Sequence, residues 1–333
     1  MKKTIAVVLS VGATLGLLTT APEVLRADDA PNAAAEAPQY PDNAFQAVPR
    51  DYLFNEEAPR GKVERFDYAT TDHSKNGQTE YKKSALVYLP PDYDPAKSYN
   101  VLYLMHGGGD SPEWFFGGEG KSSPITRMLD VMLAKREIEP LIICAVSYYE
   151  EYEQNAATNC NNFYLELMKD VIPAFETKYK TFAPNVSEEG LKASRRHRAF
   201  SGFSMGAAAT WSVFENCLNE IAYYMPISGD CWTLAVRGGG LQSEETAKRL
   251  AERVKASEKT AKDFIIYSGC GERDIAEANL TPQINAMKAL GDPFVYCDNF
   301  ANGNLYQCVN PDGGHDVRTV TTILYNGLPK MFK

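Results

Sequence analysis

Short apolar runs typical of buried strands alternate with helical patterns along most of this chain, and the alternation restricts the fold more than any single residue does. The strand-like runs lie at 83–89, 101–105, 141–147, 198–202, 222–227, 264–268 and 305–309. Helical spacing of apolar residues occurs between them, at 125–135, 163–179, 207–218, 243–254 and 282–290. Strands that alternate with helices form a mostly parallel sheet covered on both faces. The predicted fold class is therefore α/β, with a doubly wound sheet.

Length and charge narrow the class of protein. The chain has 333 residues, of which 44% are hydrophobic, which is enough for one large α/β core and short for two enzymatic domains. Its formal net charge of −9 leaves no broad basic face. We therefore expect neither nucleic acid nor an anionic membrane as a partner, and neutral or weakly charged substrates fit better.

The N-terminus predicts export. Two lysines precede an apolar run over 5–18, and small residues follow it. The run is interrupted and is shorter than the roughly 20 apolar residues of a membrane-spanning helix. We predict a signal peptide over 1–27, cleaved near Ala21 or Ala27, and a secreted or periplasmic protein without a membrane anchor.

Composition also separates a leading segment from the fold. Residues 28–60 are rich in Ala, Pro, Asp and Glu, which predicts a flexible segment or one that lies on the surface. The folded domain is expected over 61–333.

Among the seven cysteines none forms a C-x-x-C pair, and the sequence indicates no metal and no cofactor. Cys297 and Cys308 flank a turn and are a candidate disulfide pair, although spacing alone fixes no pairing.

The sequence Gly202-Phe203-Ser204-Met205-Gly206 lies between a strand-like run and an alanine-rich helical stretch. A serine on a tight strand-to-helix turn needs small neighbours, so that the backbone can bend and leave the hydroxyl exposed above the sheet. The surrounding pattern matters more than the letters of the motif. This strand–turn–helix pattern predicts that Ser204 is a nucleophile.

A serine nucleophile requires a base, and the chain contains four histidines. His73, in the expected first strand, His106 and His197 all precede the serine. This arrangement delivers its histidine from the loop after the final strand. His315 follows the last strand-like run, so we predict that it is the general base.

The third member should be a carboxylate on a loop between the serine and the histidine. Asp274 follows the run 264–268 and is the preferred candidate. Asp230 follows the preceding run and is the rival candidate. Glu272 is the third choice, because it is more typical of a solvated loop charge.

Acyl transfer also needs donors aimed at the oxygen that becomes negative. The N–H of Met205, directly after the nucleophile, is one expected donor. The second is expected from Gly107 or Gly108, in a glycine loop that follows the run 101–105 and lacks the lysine of a phosphate-binding loop. The residues alone do not separate these two glycines.

Aromatic residues near the predicted site are candidates for the substrate wall. Trp232, with Asp230 close before it, follows a strand-like run and is predicted to bind substrate. Trp114, Phe115 and Phe116 lie beyond the glycine loop. An apolar wall with a few polar groups suits an aromatic acyl group.

These motifs, in this order and with these gaps, resemble the feruloyl esterases of carbohydrate esterase family one, especially the esterase modules attached to clostridial xylanases. The likeness runs from about Lys83 to the C-terminus and rests on Tyr103-Leu104-Met105-His106-Gly107-Gly108-Gly109, Gly202-Phe203-Ser204-Met205-Gly206, Ser228-Gly229-Asp230 with Trp232, Asp274-Ile275-Ala276 and Gly314-His315. The resemblance implies an α/β-hydrolase fold, a triad of Ser204, His315 and Asp274, and Trp232 in an aromatic acyl pocket. It implies hydrolysis of hydroxycinnamoyl esters on xylan, with feruloylated or acetylated plant polysaccharide as the partner.

Two alternatives stay open. Some of these esterase modules carry tryptophans after the catalytic histidine, where this chain has Asp316-Val317-Arg318, so an acetyl xylan esterase or another short-acyl carbohydrate esterase also fits. An esterase-like module that binds polysaccharide without catalysis is the alternative from another class. The presence of the serine, the histidine and the acid favours an enzyme.

Overall fold

The computed structural model describes residues 39–73, 79–151 and 153–333. The predicted signal peptide, 1–27, and the first part of the predicted flexible segment lie outside the described residues. Within the described ranges, no helix is both long enough and apolar enough to cross a membrane.

In the part of the chain that the structure describes, eight strands form one sheet. They are β1 (Lys62–Thr71), β2 (Glu80–Leu89), β3 (Asn100–Met105), β4 (Leu141–Val146), β5 (Arg198–Phe203), β6 (Tyr223–Ile227), β7 (Ile265–Gly271) and β8 (Leu305–Asn310). Their order is β1-β2-β4-β3-β5-β6-β7-β8. The two pairings of β2 are antiparallel, and the strands from β4 to β8 are parallel. This confirms the predicted mostly parallel α/β-hydrolase sheet.

Helices pack on both faces of the sheet. They are α1 (Arg50–Phe54), α2 (Glu113–Phe116), α3 (Pro124–Ala134), α4 (Ala156–Glu166), α5 (Ile172–Lys178), α6 (Glu188–Ala193), α7 (Met205–Asn216), α8 (Gly238–Leu241), α9 (Ser243–Ala256), α10 (Glu277–Leu290) and α11 (Val317–Gly327). Short 3₁₀ turns lie at Arg195–His197 and Leu328–Lys330.

The central strands are buried on both faces. Along β3, Tyr103 faces one hydrophobic core, which includes residues of α4, α5, α7 and α9, and Leu104 faces the other, which includes residues of α2, α3 and α11. Because successive side chains alternate across a strand, both faces of β3 must be apolar. This explains the continuous apolar run that predicted it.

The first strand departs from the prediction. β1 is not among the predicted runs, because its buried residues Val63, Phe66 and Tyr68 are separated by charged side chains. It is an edge strand, and its outer face needs no apolar cover. His73, expected inside the first strand, lies just beyond its end.

The predicted helix over 163–179 is divided in the structure. A π-helical turn (Leu167–Val171) separates α4 from α5. Pro173 lies in the first turn of α5, and its missing N–H interrupts the hydrogen-bond ladder that would continue from α4. A proline at this point disfavours one regular helix, and the wider turn provides the break.

Residues 39–60, part of the segment expected to be flexible or to lie on the surface, contact the rest of the described fold. The Asn43 side chain is buried and donates a hydrogen bond to the Cys297 carbonyl at 3.0 Å. Tyr52 of α1 is buried against Tyr325, with ring centroids 5.4 Å apart. The segment is polar overall, so the few side chains that anchor it could not be recognised from its composition.

The seven cysteines are buried, free thiols. The disulfide considered between Cys297 and Cys308 is therefore absent. Burial raises the pKa of the Cys144 and Cys231 thiols, the latter to about 12. The thiols stay protonated and pack as small apolar groups.

Candidate active site

Ser204 lies on the turn between β5 and α7 with φ 57° and ψ −115°. A non-glycine residue rarely adopts a positive φ, because its Cβ crowds the backbone. The turn is held by a hydrogen bond of 2.9 Å from the Ser204 N–H to the Ile227 carbonyl on β6. The strained turn presents the serine at the carboxyl edge of the parallel strands.

The glycines around the serine are required by close backbone contacts. A Cβ on Gly202 would lie 2.2 Å from the Gly206 carbonyl oxygen, and one on Gly206 would lie 2.4 Å from the Met105 carbonyl oxygen. Neither neighbour is a flexible side chain, so neither contact could relax cheaply. The structure thus gives a steric reason for both glycines of the motif.

His315 follows β8 and lies beside the serine. Its Nε2 is 2.9 Å from Ser204 Oγ, and its ring rests on Phe203 with centroids 4.5 Å apart. The next residue, Asp316, caps α11 by accepting hydrogen bonds from two backbone N–H groups of that helix. The helix start and the Phe203 ring together fix the direction of the histidine.

Asp274 completes a chain of hydrogen bonds. Its Oδ1 is 2.7 Å from His315 Nδ1 and also accepts the Ala276 N–H at 2.8 Å. Burial raises the pKa of Asp274, but interactions with His315, the nearby Ser228 hydroxyl and the Ala276 N–H outweigh burial and hold that pKa below its ordinary value. The acid is therefore a carboxylate, so Nδ1 donates to it and Nε2 is left to accept the serine proton.

The loops that carry the acid and the histidine are locked together. A Cβ on Gly271, at the end of β7, would lie 2.2 Å from the Gly313 carbonyl oxygen. The Arg273 N–H donates to that same carbonyl at 2.9 Å. Glu272, the third choice for the acid, accepts the Asp312 N–H at 3.1 Å at the exposed side of the loop.

Asp230, the rival acid, has other partners. Its Oδ1 accepts the indole N–H of Trp232 at 3.0 Å, and its Oδ2 accepts the Gly240 N–H at 3.1 Å. Burial raises the pKa of Asp230 above its ordinary value despite these hydrogen bonds. The structure brings this carboxylate to the tryptophan and Asp274 to the histidine.

The aromatic candidates divide into two groups. Trp232 is half-buried, and its carbonyl accepts the Asn161 side-chain N–H at 3.0 Å. Trp114 stacks on Phe203 at 4.9 Å between ring centroids, behind the histidine. Phe115 and Phe116 are fully buried in the core under α3 and do not line a substrate wall, which corrects the expectation for both.

The glycine loop adjoins the residue that follows the serine. Met205 begins α7, where the first N–H groups of a helix have no partner within it. A Cβ on Gly108 would lie 2.8 Å from Met205 Sδ, so this part of the glycine loop adjoins the residue after the serine. The Gly107 carbonyl accepts from His106 Nδ1 at 2.8 Å and from the Tyr148 hydroxyl at 3.1 Å.

The sequence analysis missed the residues after β4 that contact the glycine loop. The Gly109 N–H donates to the Tyr149 hydroxyl at 2.6 Å, and His106 Nε2 lies 2.8 Å from Ser147 Oγ. Their only sequence signal is their position directly after a strand, because the sequence does not show that β4 adjoins β3. In the described residues, no cluster of three or more His, Cys, Asp or Glu side chains is arranged to hold a metal ion.

A mostly parallel sheet, with a serine on a strand-to-helix turn beside a histidine and a carboxylate from later loops, defines the α/β-hydrolase class. The model of the Esterase family matches residues 77–215. The chain is 34% identical to the feruloyl esterase module from Clostridium thermocellum, solved with sinapinate, with a TM-score of 0.75 over 89% of this chain and 96% of that one. The chain belongs to the feruloyl esterases of carbohydrate esterase family one, and it is a carboxylic ester hydrolase.

Two further relatives complete the comparison. The chain is 39% identical over 250 residues to endo-1,4-beta-xylanase Y of Acetivibrio thermocellus, a match that covers 75% of this chain and 22% of the xylanase. This chain thus spans about a fifth of that relative. A ferulic acid esterase from Anaeromyces mucronatus, 17% identical with a TM-score of 0.62 over 87% of this chain and 98% of the other, shares the fold.

Proposed function

We propose that this protein is a secreted serine esterase that hydrolyses hydroxycinnamoyl esters, such as feruloyl esters, on plant cell-wall xylan. The observation that carries the proposal is the hydrogen-bond chain from Asp274 through both nitrogens of His315 to Ser204. The acyl group is inferred from the Clostridium module, which was solved with sinapinate. Trp232, on the loop that follows β6 at the same edge of the sheet as Ser204, supplies an aromatic surface of the kind that such a ring requires.

The reaction proceeds by acyl transfer to the serine. As Ser204 Oγ attacks the ester carbonyl carbon, its proton passes to His315 Nε2, and Asp274 stabilises the resulting imidazolium. The tetrahedral intermediate then collapses, the bond to the sugar oxygen breaks, and His315 returns the proton to that oxygen. Water, activated by the same histidine, hydrolyses the acyl-enzyme to release the free acid and restore the serine.

Two backbone N–H groups stabilise the oxyanion of the intermediate. One is that of Met205, at the start of α7. The second is that of Gly108, because a trans peptide directs its N–H opposite to the preceding carbonyl, and the Gly107 carbonyl faces His106 and Tyr148. The Gly109 N–H is already bound to Tyr149. We therefore propose Gly108, rather than Gly107, as the second donor.

The acyl group is expected to lie against Trp232. Asp230 fixes the indole by accepting its N–H, so the carboxylate acts on the substrate through the tryptophan. A ring that is held in advance loses less conformational entropy when the substrate binds. We therefore assign Asp230 a positioning role in the substrate pocket.

Substitution of the nucleophile tests the proposal. Ser204→Ala should remain folded and lose ester hydrolysis by a factor on the order of a million, as in a well-studied serine protease. Rates are measured on methyl ferulate, acetylated xylan and a short-chain nitrophenyl ester. Ser201→Ala is the matched control, because that hydroxyl bonds the Met225 carbonyl within the sheet.

The three substrates separate the outcomes. Loss on all three with Ser204→Ala, together with the highest wild-type kcat/KM on methyl ferulate, supports the full proposal. If the wild-type kcat/KM were highest on acetylated xylan, the substrate would be an acetyl ester rather than a feruloyl ester. Activity of the variant at a tenth of the wild-type rate would overturn the nucleophile assignment.

A further inference from the structure

The carbonyl of Gly107 is held from three directions. It accepts hydrogen bonds from His106 Nδ1 at 2.8 Å, from the Tyr148 hydroxyl at 3.1 Å and, more weakly, from the Asp110 N–H at 3.4 Å. A single loop carbonyl rarely needs so many donors. The peptide that follows this carbonyl carries the Gly108 N–H, so its direction is set by these three contacts.

The hydrogen-bond partners of His106 determine its tautomer. A carbonyl oxygen only accepts, so Nδ1 carries the proton that is donated to Gly107. Nε2 then has a lone pair, and the Ser147 hydroxyl at 2.8 Å must donate to it. Burial lowers the pKa of His106, which keeps the ring neutral.

Ser147 is itself anchored from the opposite side. Lys83 Nζ on β2 donates to the Ser147 carbonyl at 2.7 Å and to Glu166 at 2.8 Å. Glu166 is fully buried and also accepts the Tyr68 hydroxyl at 2.6 Å. A buried ion pair with its hydrogen bonds satisfied has a defined geometry. The strand end that carries Ser147 is therefore fixed relative to the sheet.

We propose that Ser147 and Tyr148 are positioning residues for ester hydrolysis, which hold the Gly107 carbonyl so that the Gly108 N–H stays aimed at the developing oxyanion. Tyr148 acts directly, and Ser147 acts through the neutral His106 ring. The inference rests on the proposed serine mechanism, since only a tetrahedral oxyanion needs this donor. Electrostatic stabilisation of this kind depends on donors that are oriented before the reaction.

The first test removes the serine hydroxyl. Ser147→Ala leaves His106 Nε2 without a donor, so the ring can turn and release the Gly107 carbonyl. Loss of one oxyanion donor costs about 10²- to 10³-fold in kcat, and a misaimed donor should cost about tenfold, with KM unchanged. Ser147→Thr keeps the hydroxyl and should restore most of the rate. Tyr148→Phe should reduce kcat in the same way.

A second measurement distinguishes positioning from loss of structure. A trifluoromethyl ketone forms a tetrahedral adduct whose oxygen occupies the oxyanion site, whereas ferulate forms none. Ser147→Ala should weaken binding of the ketone by about the same factor as it lowers kcat, and it should leave the binding of ferulate unchanged. Ser201→Ala removes a buried hydroxyl hydrogen bond within the sheet, and it should change neither the kcat nor the affinity for the ketone.

The outcomes separate this inference from the proposed function. Rates are taken on a nitrophenyl ester as well as on methyl ferulate, so that a wrong acyl group does not hide the effect. If the wild type hydrolyses neither ester, the proposed function fails. If it hydrolyses them, but Ser147→Ala keeps the wild-type kcat or weakens the ketone and ferulate equally, the positioning role is wrong.

Discussion

Two loops at the carboxyl edge of the sheet carry a buried aspartate each, and they differ in what that aspartate faces. Asp230 follows β6 and accepts from the Trp232 indole and a backbone N–H. Asp274 follows β7 and accepts from His315 and a backbone N–H. Burial raises the pKa of the first above its ordinary value, whereas hydrogen bonds overcome burial and lower that of the second.

The comparison teaches that burial alone does not make a carboxylate a triad acid. Both side chains are nearly inaccessible to solvent. The two carboxylates differ in their partners. The imidazole of His315 becomes positively charged during the proposed reaction, and a carboxylate stabilises that charge. The indole of Trp232 stays neutral and only donates a hydrogen bond. In the proposed mechanism, one loop therefore serves proton transfer, and the other holds the aromatic wall.

The largest effect is expected from exchanging the two acids for amides. Asp274→Asn should stay folded and lose about four orders of magnitude in kcat, because the histidine takes the wrong tautomer. Asp230→Asn is the matched control and should cause a small fraction of that loss. Steady-state rates on a nitrophenyl ester report both, and a larger loss from Asp230→Asn would reverse the assignment.

A smaller effect is expected when Trp232, on the Asp230 loop, is substituted: the preference for an aromatic over a short acyl group should fall. Trp232→Ala should lower kcat/KM on methyl ferulate relative to a short acetyl ester by about tenfold, because an aromatic contact adds about 0.5 to 1.5 kcal/mol beyond area burial and 1.36 kcal/mol is a factor of ten. Trp232→Phe keeps a ring but loses the hydrogen bond to Asp230, and it should fall between. Equal losses on both esters would make Trp232 a structural residue.

The smallest effect is on stability against pH. With a lowered folded pKa, Asp274 contributes stability above its unfolded pKa that is lost as pH falls through the folded pKa. Asp230, with a raised folded pKa, contributes most below its unfolded pKa and loses that contribution as pH rises through the folded pKa.

Denaturant unfolding of each Asn variant beside the wild type, over about pH 3 to 6, isolates the two groups. The stability advantage of the wild type should grow with pH for the Asp274 variant and shrink with pH for the Asp230 variant. Slopes of the same sign would mean that the two carboxylates sit in equivalent environments, contrary to the geometry.

Much of the site could be predicted from order along the chain. The positions of the serine turn, the late histidine and the acid between them could be predicted from the order of strands, loops and helices. Parallel strands bring their carboxyl ends, and the loops that follow them, to one edge of the sheet. Asp274 was preferred to Asp230, but position along the chain could not exclude Asp230, since both follow strands at that edge. Trp232 was placed near the site, but its hydrogen bond to Asp230 was not foreseen.

Apolar periodicity and glycine placement are local properties of the chain, so the α/β layering, the nucleophile turn and the candidate residues could be predicted from the sequence. Which carboxylate reaches His315, that Phe115 and Phe116 turn inward, and that Ser147 lies against His106 are visible only in the tertiary structure. These contacts depend on sheet order and on the directions of side chains from distant segments. Such long-range geometry leaves no periodic trace in the sequence.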